Sequence, residues 1–180
     1  MVALWVILGI IVLVILWVIL LFNGLVRKRN VADEAWSGIS VQLKRRHDLI
    51  PNLVATAKGL SEHEKTLMES VTAARAAKTV AEVNKAEAGL SAALRGFVAT
   101  VEAYPQIKAD QGFMNVMSSL SELENDIQMS RRYYNGAARD FNTSIQVFPA
   151  NLFAGMLGFS KYDFFELENP EEAKNPQVQF

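Results

Sequence analysis

The side chains best suited to proton or metal chemistry in this sequence are two histidines, His47 and His63, each next to carboxylates in Arg46-His47-Asp48 and Glu62-His63-Glu64. Imidazole beside carboxylate can hold a divalent metal or move a proton near neutral pH. The spacing argues against both uses. His63-Glu64 begins like a two-histidine zinc helix, but Leu67 stands where the second histidine is required. Glu62, His63 and Glu64 are consecutive, so a helix spreads them around its circumference. A metal would need ligands from another helix, and helix capping with surface charge accounts for the cluster.

Nucleophile chemistry finds no support either. The chain has no cysteine, which removes disulfides and thiolate metal sites. It has no GxSxG elbow and no phosphate loop, and Gly96 and Gly112 stand alone rather than clustered at a helix start. With 18 basic and 19 acidic residues the formal charge is −1, which leaves no electrostatic footprint for nucleic acid. The sequence points to no catalytic residue, no metal ligand set and no cofactor; it reads as a non-enzyme.

The densest charge run is Lys44-Arg45-Arg46-His47-Asp48. Consecutive residues cannot share one helix face, so this is no flat basic stripe. Arg46 is the exception, because it falls on an apolar seam. Ala32, Trp36, Ile39, Leu43, Ile50, Leu53, Ala57 and Leu60 follow alternating steps of four and three, with Arg46 filling the missing position. A buried arginine requires a carboxylate from a neighbouring helix. Glu102 and Glu124 lie in apolar stretches and are the candidate partners for an internal clamp with Arg46. The other reading of the same charges is an anion or partner site on the bundle.

These residues need long helices to position them. The seam helix contains Pro51, which removes the bond to the His47 carbonyl and predicts a kink or break. Ser61-Glu62-His63-Glu64 and Thr79-Val80-Ala81-Glu82 both fit capping boxes, opening helices through Leu67, Val71 and Ala74 and through Val83, Leu90, Leu94, Phe97 and Val101; the alternative at Thr79 is a helix that simply continues. Tyr104-Pro105 stops the latter. A last helix of about 35 residues runs from Phe113 through Leu120, Ile127, Tyr134 and Phe141, long for a globular protein, until Phe148-Pro149. No strand pattern competes. Short connections between long amphipathic helices predict an all-α antiparallel bundle of about four helices.

Ahead of the bundle, Val2 to Phe22 carries no charged side chain. At about 1.5 Å per residue this run spans roughly 30 Å as a helix, the thickness of a bilayer's hydrocarbon core. A cleaved signal peptide would need a basic start, a shorter apolar core and a small-residue cleavage site. The run lacks these, so a single transmembrane anchor is expected, with Trp5 and Trp17 toward the interfaces. Arg27, Lys28 and Arg29 follow directly. By the positive-inside rule they place the helical domain in the cytoplasm and the N-terminus outside. The expected organisation is an anchor over 1–24, a helical bundle over 25–165 and an acidic, proline-bearing tail over 166–180; the anchor either joins the first bundle helix with little interruption or meets it at a joint at Asn23-Gly24.

One further segment stands out. Phe148, Phe153, Phe159, Tyr162, Phe164 and Phe165 crowd a short stretch with Leu152, Met156 and Leu157. It either folds back to cap the bundle or forms an exposed apolar surface for another subunit or the bilayer.

Taken together, the chain resembles the LemA family. The resemblance is carried by Asn30 to Ser37 (NVADEAWS), Val41 to Val54 (VQLKRRHDLIPNLV), His63-Glu64, Ala103-Tyr104-Pro105, Glu124-Asn125, Arg131 to Asn135 (RRYYN), Phe148 to Asn151 (FPAN), Gly158-Phe159 and Phe164 to Glu166. Phe141-Asn142 departs slightly from the Tyr-Asn of many members. The resemblance implies a bacterial-type membrane protein with a cytoplasmic helical bundle and no established catalytic activity. Members of the family it resembles often accompany membrane proteases and other membrane proteins in genomes, and one branch is similar to magnetosome-membrane proteins. The expected function is therefore a single-pass scaffold or adaptor of the bacterial cytoplasmic membrane. Its expected partners are the lipid bilayer, further copies of itself and other membrane proteins. Oligomeric membrane shaping is the alternative, and a metal-dependent hydrolase is a remote third.

Overall fold

A computed structural model describes residues 1–57 and 60–165. Five α-helices and no strand are found among the described residues: α1 (Val2–Thr56), α2 (Ser61–Ala76), α3 (Val80–Val101), the single turn α4 (Pro105–Lys108) and α5 (Gln111–Gln146). The predicted all-α fold is therefore observed. The tail over 166–180 lies outside the described residues.

α1 settles two alternatives. It runs from the apolar stretch through Asn23-Gly24 without interruption, and of the kink or break expected at Pro51 the break does not occur, the helix continuing to Thr56. Proline leaves the carbonyl four residues earlier without its helical donor. That carbonyl belongs to His47, and Arg75 of α2 supplies a replacement, donating from Nη2 at 3.1 Å. The same Nη2 lies 2.8 Å from the Asp48 carboxylate. The helix thus survives its proline because a neighbour satisfies the orphaned oxygen.

Helix starts follow local chemistry. Thr79 caps α3 with a complete box, its hydroxyl accepting from the Glu82 amide while the Glu82 carboxylate accepts from the Thr79 amide. At α2 the capping residue is Leu60, whose amide donates to Glu64 Oε1 at 2.9 Å. The Ser61 side chain of the predicted box lies outside the described set. Residues 77–79 interrupt α2 and α3, as the second box requires.

By contact the chain divides into two compact units, one formed by residues 1–37 and 133–162, the other by 38–132 and the segment from Asp163. In the second unit, Ile50, Leu53, Leu60, Leu67, Val71, Leu90, Phe97, Val101, Phe113 and Leu120 form the core. The seam read from the sequence is the buried side of α1: Ile39, Leu43, Arg46, Ile50 and Leu53 are all buried. In the first unit, Trp36 packs on the fully buried Tyr134, ring centroids 5.4 Å apart. A separate cluster there joins Leu25, Phe141, Ile145, Ala150, Ala154 and Phe159, with Leu21, Val26 and Tyr162 against it.

α5 ends at Gln146, just before Phe148-Pro149, and a 3-10 turn follows over Ala150–Leu152. Gly158 then takes φ +75°, a left-handed conformation that a side chain disfavours. It turns the backbone so that the Phe159 amide bonds to the Ala154 carbonyl at 2.9 Å, and the Phe159 ring enters the cluster beside Phe141.

Candidate functional site

Arg46 anchors a buried polar network within the second unit. Its Nη1 lies 3.3 Å from Glu87 Oε2, and its Nη2 donates to Ser91 Oγ at 2.9 Å. Nη2 also approaches Glu124 Oε2 at 3.5 Å. The other oxygen of Glu87 meets His47 Nε2 at 2.6 Å. Two consecutive α1 residues therefore converge on one α3 carboxylate, and Arg46, His47, Glu87 and Ser91 are all buried. An arginine in an apolar core is costly unless its hydrogen-bonding capacity is met. Here its fork reaches two carboxylates and a hydroxyl.

The partner set is not the one expected. Glu124 approaches Arg46, but Glu102 does not; it is solvent-exposed and its nearest cation is Lys108, at 4.0 Å. Glu102 follows the last turn of α3, at a position that faces away from the seam. Sequence reasoning missed Glu87 and the role of His47. Glu87 stands four residues after Val83 and three before Leu90, both on the inward face of α3. That periodicity was the available signal.

A cavity of about 450 Å³ opens beside the network, lined by Arg46, Ser91, Arg95, Ser121, Glu124 and Asn125 among others. Its charges are mixed, and Arg46 is already engaged by Glu87. Among the described residues no group of three or more histidine, aspartate or glutamate side chains is arranged to hold a metal ion. His63 lies in the first turn of α2.

The candidate anchor residues lie along α1. None of the most apolar 18-residue stretch of that helix is buried against the rest of the chain. Trp5 and Trp17 are both exposed. Past the apolar run, Lys28 donates to the Ser144 hydroxyl, and Arg29 pairs loosely with Asp33 at 3.9 Å. Arg27 is exposed.

The aromatic segment divides between roles. Phe159 is buried among Leu25, Phe141 and Ile145, and Phe141 also meets the Tyr162 ring edge-on at 5.2 Å. Asn142 clasps the Tyr162 backbone from both sides, accepting its amide hydrogen and donating to its carbonyl, each at 2.9 Å. The Tyr162 hydroxyl donates to Asp33, and burial together with that carboxylate pushes the phenol up to about 12. In the second unit, Phe165 is buried beneath the Arg131 guanidinium, 4.3 Å from its ring centroid. Phe148, Phe153 and Phe164 remain exposed. The segment thus both caps and presents a surface.

Against this geometry stand the known relatives. Residues 35–180 match the LemA family. The chain is 36% identical over 81 residues to Magnetosome protein MamQ 2 of Paramagnetospirillum magneticum, covering 45% of this chain and 30% of that protein. Magnetosome protein MamQ of Magnetospirillum gryphiswaldense is 30% identical over 80 residues, covering 44% of this chain and 29% of its own length. Protein LemA of Metamycoplasma hominis is 25% identical over 154 residues, covering 83% of this chain and 70% of that protein. The chain thus spans under a third of the magnetosome proteins it matches.

Proposed function

The chain belongs to the LemA family, and on that footing we propose that it is a non-enzymatic, membrane-anchored helical scaffold that binds further copies of itself and other membrane proteins. The observation that carries this reading is α1. One continuous helix supplies an apolar run unburied by the rest of the chain, and further along it supplies the buried seam of a helical core. A helix apolar all round requires lipid or a partner to cover it. The polar groups in the core are turned inward on one another, which suits positioning of helices better than turnover.

Arg27, Lys28 and Arg29 support a cytoplasmic helical domain, with the anchor in the bacterial cytoplasmic membrane. Crosslinking in intact membranes tests the scaffold. Homo- or hetero-crosslinks of defined size are expected, and a strictly monomeric protein without neighbours would end the proposal.

The relatives named as magnetosome proteins favour a second reading, in which oligomers organise or shape the membrane. Reconstitution at high density in liposomes separates the two. Vesicles of altered shape with regular protein spacing support shaping; unchanged vesicles with random spacing remove it.

A further inference from the structure

Between Val147 and Ser160 the chain carries no charged residue. It nevertheless leaves large apolar side chains in the open: Val147, Phe148, Leu152, Phe153, Met156 and Leu157 are all exposed, Phe148 at 78% and Met156 at 87%. Six such side chains in one short segment exceed the scattered apolar exposure normal on a water-facing surface. The segment is not loose. Ala150 and Ala154 are buried beneath it, and Gly158 turns it back to seat Phe159.

Its height along α1 is fixed by contacts. Ala150, Ala154 and Phe159 pack with Leu25, and Leu21 and Val26 lie against the same cluster. The Phe22 ring stands 5.8 Å from the Phe159 ring. Leu21 and Phe22 are the last residues of the apolar run before Asn23-Gly24, and Leu25 is about one turn beyond them. The exposed side chains therefore sit beside the point where the α1 span ends. Arg27, Lys28 and Arg29 occupy the next turn. Arg29 shares a cavity of about 270 Å³ with Lys161, Asp33, Ser160 and Tyr162.

We propose that the segment from Val147 to Leu157 is a second, monotopic membrane contact, inserting its apolar side chains into the same leaflet in which the apolar run of α1 ends. Continuity with the span identifies the occupant as lipid. An uncharged, aromatic-rich surface level with the end of a span meets the boundary between acyl chains and headgroups, where such side chains are buried favourably. The flanking Arg27, Lys28, Arg29 and Lys161 then fall at headgroup level, where cations meet anionic lipid. The protein holds the membrane at two places in one leaflet, which fixes the tilt and rotation of the helix more firmly than a single span can.

The proposal rests on the reading of Val2–Phe22 as a membrane span, and the test separates the two. The native sequence lacks cysteine, so single-cysteine variants of the full chain can each carry one environment-sensitive fluorophore. The positions are Phe148→Cys, Phe153→Cys and Met156→Cys, with Ile11→Cys inside the span. Tyr133→Cys, exposed on α5 about 18 Å along the helix from Ile145, serves as the aqueous control. In nanodiscs with nitroxide lipids, shallow quenchers are expected to act several-fold more strongly at 148, 153 and 156 than at 133, while deep quenchers act at 11. Water-like emission at 148, 153 and 156 with quenching at 11 would overturn the second contact alone. Water-like emission at 11 as well would overturn the span and the proposal with it. Shielding at 148, 153 and 156 that grows with protein density, without lipid quenching, would assign the surface to a second copy and likewise overturn the proposal.

Discussion

Arg75 donates to the backbone carbonyl of His47, the oxygen that Pro51 leaves without a helical donor. A proline inside α1 is therefore coupled to a side chain on α2. Either feature alone looks like a fault: a helix breaker on a core seam, or a surface arginine.

This coupling predicts an asymmetric mutant pair. Arg75→Ala should destabilise the helical domain by about 1 kcal/mol or somewhat more, since it orphans a partly buried carbonyl. In a Pro51→Ala background, where the helical amide is restored, the same substitution should cost measurably less. Thermal melts of the full chain in detergent, arranged as a double-mutant cycle, check this; additive losses would show that the two residues are uncoupled.

Removal of one partner in the Arg46 network should be severe. Glu87→Ala leaves Arg46 buried at the core and is expected to cost roughly 3–5 kcal/mol, with Glu124 compensating in part. Joint replacement of Arg46 and Glu87 by apolar residues of similar volume should cost far less than Glu87→Ala alone. Glu102→Ala, by contrast, alters an exposed side chain and should stay within about 0.5 kcal/mol of the parent. Chemical denaturation monitored by helicity distinguishes the three.

Two groups set opposite pH dependences. Backbone hydrogen bonds from Lys78 and Thr79 hold the Glu82 carboxyl below its ordinary value. Its folded pKa is thus depressed, so its contribution is present above the ordinary carboxylate value and lost as pH falls through the lowered one. Glu82→Gln, which keeps the cap without a titrating group, should flatten stability on the acid side. Tyr162 behaves oppositely. Its phenol is raised from 10.0 to about 12, first by burial and then by the Asp33 carboxylate. Its contribution is complete below the ordinary phenol value and disappears as pH rises through the elevated one. Tyr162→Phe should remove that alkaline loss, read from melting temperature against pH.

Gly158 offers a backbone test. With φ at +75°, Gly158→Ala is expected to cost about 1 kcal/mol through left-handed strain, although the space around the position is open. Proteolysis near the turn should accelerate accordingly, while the α1–α3 core keeps its protection. Unchanged cleavage would mean that Gly158 does not hold Phe159 in place.

Much of this protein is written in periodicity. The apolar run to Phe22, the four-and-three seam from Ala32 to Leu60, the Thr79 box and the stop at Phe148-Pro149 are local signals, because helical geometry repeats every few residues and charge is expelled from lipid. What needed the tertiary structure was pairing across helices. Periodicity placed Arg46 on a buried face but did not select Glu87 over Glu102, since the facing residue depends on how α3 rotates and slides against α1. Nor did it decide that the helix would continue past Pro51 rather than break, because the donor that satisfies the freed carbonyl lies on α2. The aromatic segment divides for the same reason. Phe159 and Phe165 are buried while Phe148 and Phe153 are exposed, and only the turn at Gly158 and the neighbours it reaches decide which rings meet protein.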